Sequence, residues 1–379
     1  MQKIGGDKVK RALLASTALG LLLCTGYAHS SVTLYGVVDS NIEYVNKLTN
    51  ASGASGSVVR NSGGGFASNR WGVRGVEDLG GGLKGIFTVE GGFNVDTGTQ
   101  FNANKLYDRQ TFVGVSSDEY GQLTFGRQYS TIFRALANFS PSAYAPMYEP
   151  LSFLLGMNLR NDNSVNYVIQ RGSIGARLHW TFGNGVFGAG ETPGEIRANA
   201  GYGASLEYSA GEFGASIAYD QFYPTLTTLG DNGIGNFRKA AIGAGYNLGK
   251  FRFSGGYRWG RNEFSNGSVA LRDDFLWFGV NYQVAPKVNL MLAYYYDKLH
   301  TLRAQYNGAE LDRPNPYQVS FMASYDFSKR TNVYLTTAYS KNVALAFGGL
   351  ATTAASGAYL LGAGKSSQVG AALGIRHIF

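Results

Sequence analysis

FRKAAIGAGYNLGKFRFSGGYRWGRNE, residues 237–263, is the stretch from which the fold can be read. It divides into two extended runs, 237–248 and 251–263, joined by Gly249 and Lys250 alone. A two-residue connection joins antiparallel strands, whereas a parallel pair needs a crossover of a dozen residues or more. The same unit repeats in both directions. Downstream, 274–284 and 288–299 meet at 285–287, 317–327 and 332–343 meet at 328–330, and 368–379 closes the chain. Upstream, 200–208 and 213–223 meet at 209–211, 164–171 and 175–182 at 172–173, 105–116 and 121–129 at 117–120, and 69–79 and 83–93 at 80–82. The first strand is 32–46, followed by a Gly/Ser/Asn loop to about residue 68.

The count is sixteen, and short turns alternate strictly with longer loops. That alternation is the sequence signature of a transmembrane β-barrel. Lipid offers no hydrogen bonds, so a spanning sheet must close on itself. Segments of this length fit tilted strands crossing a bilayer. The expected lipid-facing residues are Leu206 and Tyr208; Ile217 and Tyr219; Phe275, Trp277 and Gly279; and Leu290, Leu292 and Tyr294. No segment of useful length with helical periodicity fills the longer gaps. A soluble propeller would repeat a blade motif, and none is visible.

Composition narrows the function. Residues 1–28 have a basic start, an apolar run and a small-x-small end at Gly26-Tyr-Ala28, as a secretory leader does. The only cysteine, Cys24, lies in it, so the exported chain, 29–379, is expected to carry no disulfide. Removing four basic residues and Asp7 with the leader leaves 29 Lys+Arg against 24 Asp+Glu. This mild, scattered positive charge fits neither a nucleic-acid binder nor a polybasic anchor. Four histidines leave little for a metal or catalytic site. Leu361–Ser366 resembles a phosphate-binding loop only in part, because Tyr359 stands where its first glycine belongs. No enzyme, cofactor or metal is expected.

The longest break in the strand rhythm runs from about 130 to 163, with three prolines and several aromatics. A connection this long without structure of its own is functional more often than idle, and its apolar content suggests that it packs on something. Arginines gather around it. In Asn69-Arg-Trp-Gly-Val-Arg, Trp71 and Val73 share one face, so Arg70 and Arg74 turn to the lumen, since a lipid-facing arginine costs several kcal/mol. The same argument turns Arg109 inward and Phe112 outward. Arg127 and Arg160 stand at the two feet of the long stretch. Such a set attracts small anions. Asp39, Glu43, Glu90 and Glu149 are the available counter-charges, and Arg134 offsets Glu149 within the stretch. The expectation is a weak anion preference.

Ser31-Val-Thr-Leu-Tyr-Gly-Val-Val-Asp39, Asn69-Arg-Trp-Gly-Val-Arg-Gly-Val-Glu-Asp-Leu-Gly-Gly-Gly-Leu-Lys84, Asp108-Arg-Gln-Thr-Phe-Val-Gly114 and Phe125-Gly-Arg-Gln128 resemble the general porins of Gram-negative bacteria, of the beta-proteobacterial type. The resemblance implies an all-β, 16-stranded antiparallel barrel in the outer membrane. It also implies a homotrimer with one pore per subunit and passive diffusion of small hydrophilic solutes. A third external loop would fold inward as the constriction, here about 130–163. The family's basic wall falls on Arg70, Arg74 and Arg109, with Arg127 beside them and Arg160. The terminal Phe379 resembles the signal read by the outer-membrane insertion machinery. Lipid and lipopolysaccharide are the implied surroundings. Where many porins carry Pro-Glu-Phe-Gly in the loop, this chain has Ser140-Pro-Ser-Ala-Tyr-Ala-Pro-Met-Tyr-Glu149. Tyr144 and Tyr148 are therefore expected to narrow the pore, with Asp39 and Glu43 as the opposing acids. Two rivals remain open at this point: a channel selective for a sugar or organic anion, and a closed adhesive barrel.

Overall fold

A sheet that leaves no edge must return to its first strand. In the computed structural model, which describes residues 31–156, 158–183, 190–350 and 359–379, it does so. β1 (Ser31–Thr49) pairs antiparallel with β17 (Ser367–Ile378), from Val37 opposite Ile378 to Val45 opposite Gly370. The expected leader lies outside the described residues.

From the third strand onward every strand pairs antiparallel with the next. The order is β2 (Ser55–Gly63), β3 (Arg70–Gly80), β4 (Leu83–Gly92), β5 (Gln110–Ser117), β6 (Gly121–Tyr129), β7 (Arg160–Arg171), β8 (Ile174–Thr181) and β9 (Gly201–Ala210). It continues through β10 (Phe213–Phe222), β11 (Asn236–Leu248), β12 (Phe251–Glu263), β13 (Val269–Ala285), β14 (Val288–Leu302), β15 (Tyr317–Asp326) and β16 (Thr331–Lys341). Seventeen strands make sixteen staves, because β2 and β3 share one. β2 pairs with the later part of β1 and β3 with its first seven residues. The loop expected up to residue 68 thus contains a strand. Ser-Gly-Ser-Val-Val-Arg-Asn-Ser-Gly has too few apolar residues to alternate, and its pairing rests on the backbone.

On most staves the alternate apolar residues are exposed, among them Leu206, Tyr208, Ile217, Ile242, Leu292 and Tyr294. β13 departs from the expectation. Leu276 and Phe278 are its exposed residues, whereas Phe275 and Trp277 are 0% and 3% exposed and Gly279 faces the same way. Both faces of this strand are apolar because the second carries the long segment. β5 is corrected likewise: Val113 and Val115 are exposed, so Phe112 lies on the other face, beside Gln110. Arg109 precedes the strand, and strand parity never applied to it.

The segment 130–159 is not structureless. It holds α1 (Thr131–Leu136), a 3-10 turn (Ala137–Phe139) and α2 (Leu151–Leu155). The Ser130 hydroxyl accepts from the Phe133 N–H and caps α1. Ile132, Leu136, Leu154 and Leu155 are fully buried in one cluster with Phe275, Trp277, Tyr295 and Phe347. At ~1.5–3 kcal/mol for each buried aliphatic side chain, the segment is held firmly against β10–β15. Gly156, in the left-handed region at φ 65°, ends α2.

Candidate functional site

Tyr129, the last residue of β6, is the hub of the basic arc. Its hydroxyl accepts from Arg109 Nη2 at 2.8 Å and from Arg160 Nη2 at 3.5 Å. The Arg134 and Arg160 guanidinium groups lie 4.6 and 4.9 Å from its ring centroid, close enough for cation–π attraction. Phe133 stacks on it at 4.2 Å, and Tyr144 continues the aromatic column at 4.6 Å from Phe133. The Tyr144 hydroxyl donates to the Phe133 carbonyl at 2.9 Å, which fixes the column's far end.

Glu90 on β4 organises the neighbouring part. Its carboxylate, 4% exposed, accepts from Arg109 Nε at 2.8 Å and from the Tyr35 hydroxyl at 3.1 Å, with Arg70 Nε at 3.6 Å. Arg74 lies over the Tyr35 ring at 5.4 Å. Arg70, Arg74, Arg109, Arg134 and Arg160 therefore form one continuous set. Among the described residues, Glu90 is the only carboxylate in ion-pair contact with any of them.

Arg127 is diverted from this set. Gly126 has φ 131°, and the β6–β7 register shifts between Gly126 and Gln128. The bulge sends Arg127 to the Asp108 carbonyl at 2.6 Å and to the Asp162 carboxylate, which Lys105 also contacts. Arg160 opens β7 and so belongs to the wall.

The rest of the segment is tied to the wall through its own carbonyls. Ser216 donates to the Ala135 carbonyl at 2.8 Å, Trp277 Nε1 to that of Phe139 at 2.8 Å, and Asn281 to that of Pro141 at 2.9 Å. Ser320 donates to the Tyr148 carbonyl at 2.9 Å, and Arg258 Nη2 to that of Phe153 at 2.6 Å. The Phe139 ring fills a slot left open by Gly214, Gly243 and Gly245.

The acids expected to oppose the arginines are occupied. Asp39 and Glu43 stand on β1, the stave next to β2 and β3. Asp39 accepts from the Tyr334 hydroxyl at 2.5 Å and the Phe66 and Ala67 N–H groups. Glu43 accepts from Arg60 at 2.7 Å, Tyr148 at 3.0 Å and Tyr359 at 2.5 Å. Glu149, 2% exposed, is held by the Ser140 hydroxyl at 2.8 Å and by Ser142. Burial pushes the Glu149 carboxyl up to about 7. Phe379 exchanges two backbone hydrogen bonds with Gly36, extending the β1–β17 seam by one residue.

Several functional candidates gave no sequence signal. Tyr129 reads as one more strand-end aromatic. Arg177 lines a polar cavity of about 240 Å³ with Arg134 and Gln110. With Arg252 it also lines another of about 510 Å³ beside the short turns at Ser173 and Gly211. The basic line thus continues past the segment, tempered by the Arg177–Glu207 pair at 2.5 Å. Lys239, Arg258, Asp273 and Asp297 form a buried charged group behind α2, with Arg258 bonded to Asp273 at 2.5 Å. No group of metal-ligating side chains occurs among the described residues.

The Gram-negative porin family model matches residues 15–345. An outer membrane porin protein of Bordetella pertussis is 26% identical over 412 residues, taking in 98% of this chain and 100% of its own. Outer membrane porin protein 32 of Delftia acidovorans is 30% identical over 386 residues, with 98% and 100% covered. Among solved structures, the anion-selective porin from Comamonas acidovorans superposes with a TM-score of 0.74 at 24% identity, covering 93% of this chain and 100% of that one.

Proposed function

The chain belongs to the Gram-negative porin family, and from that premise we propose that it is an anion-preferring diffusion channel narrowed by the segment 130–159. It is an outer-membrane channel. The observation that carries it is the set Arg70, Arg74, Arg109, Arg134 and Arg160, five guanidinium groups with Glu90 as their one carboxylate contact among the described residues. In a narrow, low-dielectric passage such a set raises the local concentration of small anions. Among the described residues Asp39, Glu43 and Glu149 make no ion pair with the set, and Glu43 is paired with Arg60. The Comamonas acidovorans porin is anion-selective by its description; the preference of this chain rests on its own arginines.

The segment supports a constriction because it bonds to the wall from β10 to β15 and, through Tyr148, to β1. Tyr144 narrows the passage beside Arg134, and Tyr148 does so at the β1 side, where it is bonded to Glu43. We take residues 1–28 to be the removed leader, Phe379 to be the residue read at insertion, and the working unit to be a homotrimer. The membrane lipid, including lipopolysaccharide, surrounds it. The solutes are small and hydrophilic.

The test is reversal potential across a planar bilayer in a potassium chloride gradient. Anion preference is expected, and neutralising Arg70, Arg109 and Arg160 together should move the potential toward the cation side. An unchanged potential would remove the set from the filter.

A further inference from the structure

Arg238 of β11, Arg261 of β12 and Arg272 of β13 are direct cross-strand partners, Arg238 opposite Arg261 and Arg261 opposite Arg272. All three share the face of the exposed Ile242, Tyr257 and Leu276, away from the pore arginines. Like charges directly opposite one another destabilise a sheet, so this row needs an offset. Part of it is on the wall itself. Glu263 binds Arg238 at 2.8 Å and Arg261 at 2.7 Å, and Asp274 binds Arg272 at 2.7 Å. Lys298, the cross-strand partner of Asp274, adds a fourth cation, exposed at the surface. Four fixed cations thus meet two carboxylates. Arg238 Nε, buried there, has no hydrogen-bond partner among the described residues.

Directly below the row lies an apolar groove of about 630 Å³. Ala204 and Ala240 open it between Leu206, Ile217, Ile242 and Trp259. Trp259 joins the two features, since it lines the groove while the Arg272 guanidinium lies 5.3 Å from its ring. The row is at the long-loop end of these strands, opposite the Leu248–Phe251 turn. In an outer-membrane barrel the longer loops are external and the apolar band is about 25 Å tall. From Phe251 to Trp259 the strand rises roughly 26 Å at ~3.3 Å per residue before tilt. The row therefore sits at the outer edge of that band.

We propose that Arg238, Arg261 and Arg272, with the groove under them, bind a phosphorylated, acylated glycolipid of the outer leaflet. A phosphate supplies the missing negative charge, and guanidinium forks suit its oxygens. An acyl chain fills the groove. The inference rests on the outer-membrane placement and is independent of the pore's ion preference.

The test uses the full-length protein in phosphatidylethanolamine vesicles containing bis-phosphorylated lipid A, with lipid retained per barrel measured after extraction. Arg238→Gln, Arg261→Gln and Arg272→Gln together should weaken retention about a hundredfold, at ~1 kcal/mol for each basic residue near an anionic surface and 1.4 kcal/mol per factor of ten. Dephosphorylated lipid A should be retained as poorly by the wild type. Glu263→Gln, which frees Arg238 and Arg261, should tighten retention severalfold, and Ala240→Leu should reduce it with the arginines intact. Equal retention of the two lipids, no response to Glu263→Gln, or complete displacement by inorganic phosphate would overturn the proposal. So would loss of oligomer in the triple variant, which would make the row a subunit contact. Conductance recorded on the same samples keeps a failed pore distinct from a failed lipid site.

Discussion

The Tyr148 hydroxyl donates to Glu43 at 3.0 Å, and this one bond joins the far end of the long segment to the first strand of the barrel. Tyr359 and Arg60 bind the same carboxylate, so Glu43 keeps two partners without Tyr148. A hydrogen bond to a charged group is worth about 1.5–3 kcal/mol. Tyr148→Phe should therefore leave the barrel folded and loosen the segment. Single-channel records are expected to show more open-state noise; an unaltered noise spectrum would place the anchor elsewhere.

Selectivity should follow carboxylate contacts rather than the count of arginines. Among the described residues Arg160 and Arg134 have no ion-pair partner, whereas Arg127 is bound to Asp162. Arg160→Gln and Arg134→Gln are expected to shift the reversal potential toward cations by clearly more than Arg127→Gln. The contrast should be largest at low ionic strength, where screening is weak. Equal shifts would contradict the diversion of Arg127 out of the set.

Glu149 gives the segment a pH dependence with a defined sign. Its carboxyl is pushed up to about 7 by burial among Ser140, Ser142, Tyr144 and Tyr295. The seated segment holds a proton that the unseated one releases near the ordinary carboxylate pKa. Seating is thus unaffected below about pH 4.5, weakens as pH rises to about 7, and is flat above that. Open-state noise should rise through that window, and Glu149→Gln should abolish the change. A Glu149→Gln channel with the wild-type profile would assign the dependence to another group.

The slot for Phe139 depends on a missing side chain. A Cβ at Gly243 would come within 2.8 Å of the Phe139 ring. Gly243→Val overfills the contact, at a cost of ~1–3 kcal/mol for overpacking. It should displace the segment and change conductance while barrel closure, read by resistance to unfolding in detergent, stays intact. Wild-type conductance in this variant would mean that the ring can move aside freely.

The staves were legible where one face meets lipid and the other meets water, as at Leu206–Tyr208 and Leu292–Tyr294. Legibility failed where that asymmetry is lost. Phe275 and Trp277 are as apolar as Leu276 and Phe278 because the long segment covers them, so composition alone cannot assign their face. β2 failed for the opposite reason, being polar on both faces. The arginines could be read from strand parity at Arg70 and Arg74. Arg127 could not, because a bulge at Gly126 changes the parity within a regular-looking strand. Tyr129 and the row Arg238–Arg261–Arg272 depend on which strands are neighbours and in what register, which no single strand contains.

The wall binds the long segment by its carbonyl oxygens at Ala135, Phe139, Pro141, Tyr148 and Phe153. A carbonyl is common to every amino acid. Part of the segment's route is thus written into the barrel, in Ser216, Trp277, Asn281, Ser320 and Arg258, through bonds that do not depend on which side chains the segment carries. Such a division of labour makes the passage a replaceable insert: its chemistry can be rewritten residue by residue on an unchanged mount, provided Phe139 and the buried leucines still find their seats.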